Sequence, residues 1–313
     1  MELYPTPENP LPAGARCLGV WTADGVLLRA MYATFETARG TVVLLGGRGD
    51  FIERYFETMR DLMSRGYAVA SVDFRGQGGS ERRKNDRYRC QIAGFHDYDE
   101  DLRAFMAEAV QLYCPPPYFA IGHSTGGNIL IQALRKRNWF SKAIAVSPLV
   151  GILYGSWPPS LVWLLVTLSN AFRLGWMFLP GQNRRPLGRA DYAGNPLSGD
   201  RQRWMRDTGI LEASPQLGLG GPTFSWLKAA RKSTAQLKAM DGQHRLLCPL
   251  LIVEAGLDTV VDNEAMHRFA ERVPGVSLVT IRESLHEILT ERNEIRNQFL
   301  AIFDSFVEDA PHP

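Results

Sequence analysis

Residues 115–130 read PPPYFAIGHSTGGNIL, and within them Gly122-His123-Ser124-Thr125-Gly126 sits between an apolar run and a helix-like stretch. The order is strand, sharp turn, helix. In that context G-x-S-x-G has a mechanical meaning: the serine is forced into strained backbone at the turn, and its hydroxyl stands clear of the sheet edge. Glycines flank it because a Cβ at either position would collide with the neighbouring strand or helix. His123, the variable residue of the turn, is expected to pack beneath it.

Outward from this turn the chain alternates. Residues 16–34 read as a hairpin turning at Ala23-Asp24-Gly25. Thr41–Leu45 reads as a strand buried on both faces, and 52–65 as a helix closed by Gly66. Ala68–Phe74 is the next strand and runs into the loop Arg75-Gly76-Gln77-Gly78-Gly79-Ser80. A helix near 97–112 and a strand at 117–121 lead to Ser124, followed by a helix to about Lys136 and the strand Ala143–Val146. After Pro148 the alternation stops. It resumes with the strand Pro249–Glu254, a helix at 263–272, the strand Val276–Ile281 and a final helix from about Glu287 to Val307. Strands alternating with helices predict a mostly parallel sheet covered on both faces. The expected organisation is an α/β core in two parts, 1–148 and 244–313, with a helical cap at 149–243 inserted over the carboxyl ends of the strands, where ligands bind.

Two further residues fall just past strand ends: Asp258 in Glu254-Ala255-Gly256-Leu257-Asp258, and His286 in Glu283-Ser284-Leu285-His286-Glu287. Ser, then Asp, then His is the chain order a hydrolase on such a sheet requires. A serine hydroxyl is a poor nucleophile at neutral pH, so an imidazole must take its proton and a carboxylate must orient that imidazole. His267 falls mid-helix and is not expected to compete as the base. Asp262 suits N-capping the helix at Asn263, which leaves the acid role to Asp258. Charge developing on a substrate carbonyl needs donors already in place. The Thr125 N–H is one, and the loop Gly46-Gly47-Arg48-Gly49 supplies the other, assigned to the Arg48 N–H. That loop is not a phosphate loop, because no Gly-Lys-Ser/Thr follows.

Composition narrows the class. With 313 residues, 45% hydrophobic and 22% charged, the chain is of ordinary enzyme composition. A net charge of +2 gives no global field calling for nucleic acid. Cys17, Cys90, Cys114 and Cys248 are scattered without metal spacing, so no metal and no cofactor is expected. The amino-terminal stretch MELYPTPENPLPAG lacks a basic cap and apolar core, so a cytoplasmic location without a secretory signal is expected. Leu161–Leu179 is the most apolar segment, but Ser169, Asn170 and Arg173 interrupt it and leave it too short to span a bilayer.

These motifs together resemble the alpha/beta-hydrolase superfamily, and within it the bacterial lysophospholipases and monoglyceride lipases of the serine aminopeptidase-like group. The resemblance spans nearly the whole chain. It rests on the Gly-rich turn after 41–45, Asp73-Phe74-Arg75-Gly76-Gln77-Gly78-Gly79-Ser80, Asp97 to Leu102, Gly122 to Gly127, Asp258 to Asp262 and His286-Glu287-Ile288-Leu289. Gly220-Gly221-Pro222-Thr223 with Trp226 resembles the lysophospholipase branch in particular. The chain departs from many relatives by having Gly46-Gly47 where they place His-Gly. The resemblance implies an alpha/beta-hydrolase fold and a serine carboxylester hydrolase acting on lysophospholipids or monoacylglycerols through an acyl-enzyme.

The cap bears on the substrate. Its leucines and aromatics fit an acyl-chain pocket, with Trp157, Trp163 and Phe178 as expected substrate contacts. An exposed part of this surface could dip into a membrane interface, at the membrane's inner face. Arg184, Arg185 and Arg189, with Arg82, Arg83, Lys84, Arg87 and Arg89, could attract anionic headgroups, although solvated loops are the favoured reading of those basic residues. Two other readings stay open. A peptidase would need a cap carboxylate for the substrate ammonium, with Asp191, Asp200, Asp207 and Glu212 available. A non-catalytic binding protein on the same scaffold is the other.

Overall fold

Thr41–Leu45 (β3), Ala68–Val72 (β4), Lys142–Val146 (β6) and Leu250–Ala255 (β7) are buried at every residue. Runs with no polar face can be satisfied only in the middle of a sheet covered on both sides. In the computed structural model, described for residues 1–82, 86–90, 92–154, 157–186 and 192–308, they occupy the interior of an eight-stranded sheet. Its order is β1-β2-β4-β3-β5-β6-β7-β8, completed by β1 (Arg16–Trp21), β2 (Leu27–Ala33), β5 (Tyr118–His123) and β8 (Val276–Ile281). The β1–β2 and β2–β4 pairs are antiparallel, and every pair from β4–β3 to β7–β8 is parallel.

Helices cover both faces, and two hydrophobic clusters lie against the sheet on its two sides. The expected helix at 52–65 begins as a tight turn, Ile52–Tyr55, and continues as α1 (Phe56–Ser64). Its end is a Schellman motif: Gly66, at φ +86°, donates to the Met63 carbonyl at 2.9 Å and Tyr67 to that of Leu62 at 3.2 Å. Next, α2 (Phe95–Phe105) runs through a wide turn, Met106–Val110, into the short α3 (Gln111–Tyr113), and α4 (Thr125–Leu134) follows β5 directly.

The region between β6 and β7 holds α5 (Pro159–Ala171), α6 (Arg201–Ala213) and α7 (Phe224–Lys238). It has small apolar clusters of its own: Val166 with Phe224 and Leu227, and Ile210, Leu211 and Leu217 on Phe51 of the core. The return helix α7 packs in two directions: Phe224 and Leu227 join the α5 cluster, while Trp226, Ala229, Ala230 and Leu237 belong to the main core cluster.

After β7 come α8 (Asn263–Arg272) and α9 (Asn293–Glu308). The last helix starts later than the sequence suggests. Residues 287–292 wind only into one tight turn, Ile288–Thr290, and are drawn to the inserted region: Glu287 N–H donates to the Leu197 carbonyl, Ser198 Oγ to the Thr290 carbonyl at 2.8 Å, and Gly199 N–H to Glu291 Oε1 at 2.7 Å.

Candidate active site

The parallel strands β3, β5, β7 and β8 all deliver their carboxyl ends to one edge of the sheet, so the loops that follow them share that edge. At the end of β5 the chain turns at Ser124 with φ 51° and ψ −115°, a conformation L-residues rarely adopt. Surrounding bonds hold it there. Ser124 N–H donates to the Val146 carbonyl at 2.9 Å, and the Ser124 carbonyl accepts from Leu149 N–H at 2.9 Å and Asn128 N–H at 3.2 Å. The glycines leave no slack: a Cβ on Gly126 would lie 2.2 Å from the Leu45 carbonyl oxygen, and one on Gly122 2.7 Å from that of Gly126.

Past β7 and β8, Asp258 and His286 meet. Asp258 Oδ2 lies 2.6 Å from His286 Nδ1, and the two side chains are 0% and 4% exposed, so the pair is shielded from water. The other carboxylate oxygen, Oδ1, accepts from Val260 N–H at 2.8 Å and Val261 N–H at 3.2 Å. Both oxygens are therefore committed, and the carboxylate plane is set by the backbone. The rivals are engaged elsewhere: Asp262 accepts from Ala265 N–H as the cap of α8, and His267 Nε2 lies 2.8 Å from Glu254 Oε2.

On the β3 loop, Gly47 N–H donates to Asp50 Oδ2 at 2.6 Å and Gly49 N–H to Gln77 Oε1 at 3.0 Å. Among the described residues, the amides of Arg48, between them, and of Thr125, at the start of α4, have no acceptor. The Arg48 side chain reaches across to the Gly220 carbonyl, with Nη2 at 2.7 Å and the guanidinium 5.2 Å from the centre of the Trp226 ring.

Ser124, Thr125, His286 and Arg48 line one cavity of about 470 Å³. Its wall includes Leu149, Ile152, Leu153, Tyr154, Trp157, Val162, Leu165 and Leu179. Of the three expected cap contacts only Trp157 lines it. The Trp163 ring packs edge-on to Tyr154 at 5.4 Å and lies under Arg231, while Phe178 pairs with Thr223 and lies 5.0 Å from Arg89. The helical phase decides this: Val162 and Leu165 take the inward positions of α5 and turn Trp163 aside.

A charged network beneath the site was not legible in the sequence. Arg54 is bound by Asp50, by Glu287 and, at 2.9 Å, by Asp207. His123, expected only to pack, is buried with Nδ1 3.2 Å from Asp50 Oδ2, and its ring centre lies 5.0 Å from that of His286. Burial opposes charge on Asp50, but Arg54 and His123 outweigh it and hold the carboxyl below its usual range. Burial likewise opposes a charged His123, and the Asp50 hydrogen bond outweighs it and raises that imidazole. The only available signals were the i, i+4 spacing of Asp50 and Arg54 and the placement of Glu287 beside His286. Among the described residues, no group of three or more His, Cys, Asp or Glu is arranged to hold a metal ion.

A mostly parallel eight-stranded sheet with a serine at the strand–helix elbow, followed in the chain by an Asp–His pair on the same edge, defines an alpha/beta hydrolase. The family model described as "Serine aminopeptidase, S33" matches residues 36–293, and the chain belongs to that family. It is 31% identical over 280 residues to lysophospholipase L2 of Escherichia coli, covering 85% of this chain and 79% of that one. Monoglyceride lipase of Rattus norvegicus is 25% identical over 289 residues, covering 91% and 88% of the two chains. Among solved structures, a soluble variant of monoglyceride lipase from Saccharomyces cerevisiae in complex with a substrate analog superposes with a TM-score of 0.69 at 19% identity, covering 98% and 99%.

Proposed function

We propose that the protein is a serine carboxylester hydrolase that cleaves single-chain acyl esters, lysophospholipids or monoacylglycerols, through an acyl-enzyme. One observation carries the reading: a serine in strained backbone and an Asp-bonded histidine open onto the same apolar cavity. In this mechanism Ser124 Oγ attacks the ester carbonyl while His286 Nε2 takes its proton. Asp258 holds His286 with its proton on Nδ1 and stabilises the imidazolium. The Thr125 and Arg48 amides receive the oxyanion, and the imidazolium returns its proton to the leaving alkoxide. Water activated by His286 then attacks the acyl-enzyme, releasing the fatty acid and freeing Ser124. The cavity volume falls within the range of about 300–1,000 Å³ usual for small-molecule sites, and its leucines and aromatics suit an acyl chain.

The same chemistry would serve a peptidase, but the cavity's carboxylates argue against a substrate ammonium. Asp50, Asp207 and Glu287 are all bound by Arg54, and Asp200 caps α6. Glu212 is exposed and not part of the lining, and Asp191 lies outside the described residues. Ser124→Ala is expected to abolish hydrolysis of acyl esters and labelling by a fluorophosphonate probe while leaving the melting temperature near that of the parent. Retained hydrolysis in that variant rejects the mechanism, and a parent that takes up no probe points to the binding-protein reading.

The second part of the proposal concerns membrane contact. Leu161, Leu164 and Leu168 form one stripe of α5 that Phe172 continues just past its end, and the four are 40%, 54%, 44% and 72% exposed. Trp157, Trp176 and Met177 extend the apolar surface. A patch of this kind marks an interaction surface, and an apolar helix face lying in a lipid interface would bring the cavity to its substrate. Among the described residues no helix is long and apolar enough to cross a membrane. The basic residues named from the sequence contribute unequally. Arg82 is spent on the carbonyls of Gly78, Arg87, Leu217 and Gly218, and Arg184 pairs with Asp86, while Arg83, Lys84 and Arg189 lie outside the described residues. Flotation with liposomes should carry the parent up and leave Phe172→Glu with Leu168→Glu behind; equal flotation of both rejects α5 as the contact.

A further inference from the structure

The cavity holds two arginines in opposite circumstances. Arg54 is enclosed by three carboxylates. Arg48 has none: among the described residues no Asp or Glu forms an ion pair with it, its Nη2 donates to the Gly220 carbonyl, and its Nε is buried without a partner. Burial pulls the guanidinium below its usual range, and the neighbouring ionisable groups that act on it are Cys90 and Tyr98. A partly buried cation without a counter-ion is costly, and the Gly220 carbonyl and the Trp226 ring that hold the guanidinium carry no charge to balance it. Trp226, beneath the guanidinium, lines the cavity together with Leu219 and Pro222, so the cation flanks the space a substrate would fill.

We propose that the Arg48 guanidinium is a recognition site for the headgroup phosphate of a lysophospholipid, so that the cavity discriminates phosphate-bearing esters from neutral monoacylglycerols. Reach supports the assignment, which rests on the ester-hydrolase reading above. The guanidinium carbon lies about five bonds of roughly 1.5 Å from the Arg48 Cα, whose own amide has no acceptor and is assigned above to the oxyanion. In a lysophospholipid the phosphorus lies about six such bonds from the acyl carbonyl carbon. One residue thus spans the headgroup, with the backbone at the ester and the side chain at the phosphate. Guanidinium suits the task because it offers paired donors to phosphate oxygens and stays charged when buried. The cavity's carboxylates do not repel such a ligand at full strength, since Arg54 neutralises them and Arg206 also pairs with Asp207.

The test compares kcat/KM for decanoyl lysophosphatidylcholine and decanoyl monoacylglycerol, both below their aggregation concentrations, in the parent, Arg48→Gln and Arg48→Lys. Any effect of these substitutions on the shared ester chemistry cancels in the ratio of the two substrates. Arg48→Gln is expected to lower the lysophospholipid-to-monoacylglycerol ratio about ten- to a hundredfold, the scale of a charged hydrogen bond, mainly through KM, and Arg48→Lys to recover part of it. A proportional fall on both substrates, with near-ultraviolet circular dichroism unchanged, overturns the proposal. A parent inactive on both substrates would instead reject the hydrolase reading. The phosphate site is then judged by melting temperature: glycerol 3-phosphate should raise it in the parent and not in Arg48→Gln, and no rise overturns the site. An equal rise with inorganic phosphate overturns the headgroup assignment in favour of a free anion.

Discussion

Replacing Asp258 with Asn tests the histidine geometry more sharply than deleting the side chain. In the parent, Oδ1 accepts from two backbone amides, Val260 at 2.8 Å and Val261 at 3.2 Å, and Oδ2 faces His286 Nδ1 at 2.6 Å. An asparagine is nearly isosteric but has one acceptor end and one donor end. Its oxygen must take the Oδ1 position, because an NH₂ there would meet two N–H donors at hydrogen-bond distance. The NH₂ then points at His286 Nδ1, which must become an acceptor, and the imidazole proton moves to Nε2. That tautomer cannot take a proton from Ser124. The expected loss in kcat is about 10⁴-fold, which at about 1.4 kcal/mol per decade is about 5 kcal/mol of transition-state stabilisation. KM should change little, because the cavity wall is untouched. The stability change should stay within about 1–3 kcal/mol, the range for altering one buried hydrogen-bonded group. The assay is steady-state hydrolysis of a short acyl ester together with a urea titration. If Asp258→Asn keeps more than about a tenth of parental kcat, the backbone amides do not enforce the amide orientation and the argument fails.

Gly126→Ala places a Cβ 2.2 Å from the Leu45 carbonyl oxygen and 2.6 Å from that of Gly46, both backbone, so it should cost about 3 kcal/mol or more and lower the melting temperature. Gly209→Ala, in α6 with nothing within 4 Å of the new Cβ, should be neutral or stabilising by comparison; equal melting temperatures for the two refute the steric account. Glu57 of α1 binds Arg203 and Arg206 of α6, at 2.6 Å each, and ties the inserted helices to the core. Burial opposes its charge, but these arginines outweigh it and bring the carboxyl down from 4.5 to about 2. Because the folded value is depressed, the contribution is present above about pH 4.5 and is lost as pH falls through about 2; it amounts to at most about 3 kcal/mol. The stability gap between the parent and Glu57→Gln should therefore be wide at pH 6 and narrower at pH 3 in urea titrations, and a gap that does not change with pH contradicts the assignment.

Much of the core was legible because its signals are local. The largely apolar runs at Thr41–Leu45 and Pro249–Glu254, the Gly66 stop and the Gly122–Gly126 turn each report a constraint carried by their own residues. Helix starts were less legible where long-range partners compete. The segment 287–292 has helix-compatible residues, yet the Glu287 amide, the Thr290 and Glu291 carbonyls and the Glu291 carboxylate bond to residues 197–203. The cap was read by composition alone, and composition does not give phase. That is why Trp163 and Phe178 were expected at the cavity while Val162, Leu165 and Leu179 line it.

By itself the sequence determined the order of strands and helices, the residue at the elbow and the pair of strand-end positions that could meet it, since periodicity, turn chemistry and spacing are properties of neighbouring residues. Tertiary structure decided which charges are paired. Asp50 is a near neighbour of Arg54 in the chain, but only the folding of α6 and the loop after β8 onto the turn Ile52–Tyr55 adds Asp207 and Glu287 to it. The same folding leaves Arg48, six residues earlier in the chain, at the cavity wall without a carboxylate. Beyond the i, i+4 spacing of Asp50 and Arg54, burial and pairing here depend on what arrives from elsewhere in the chain, which no local pattern encodes.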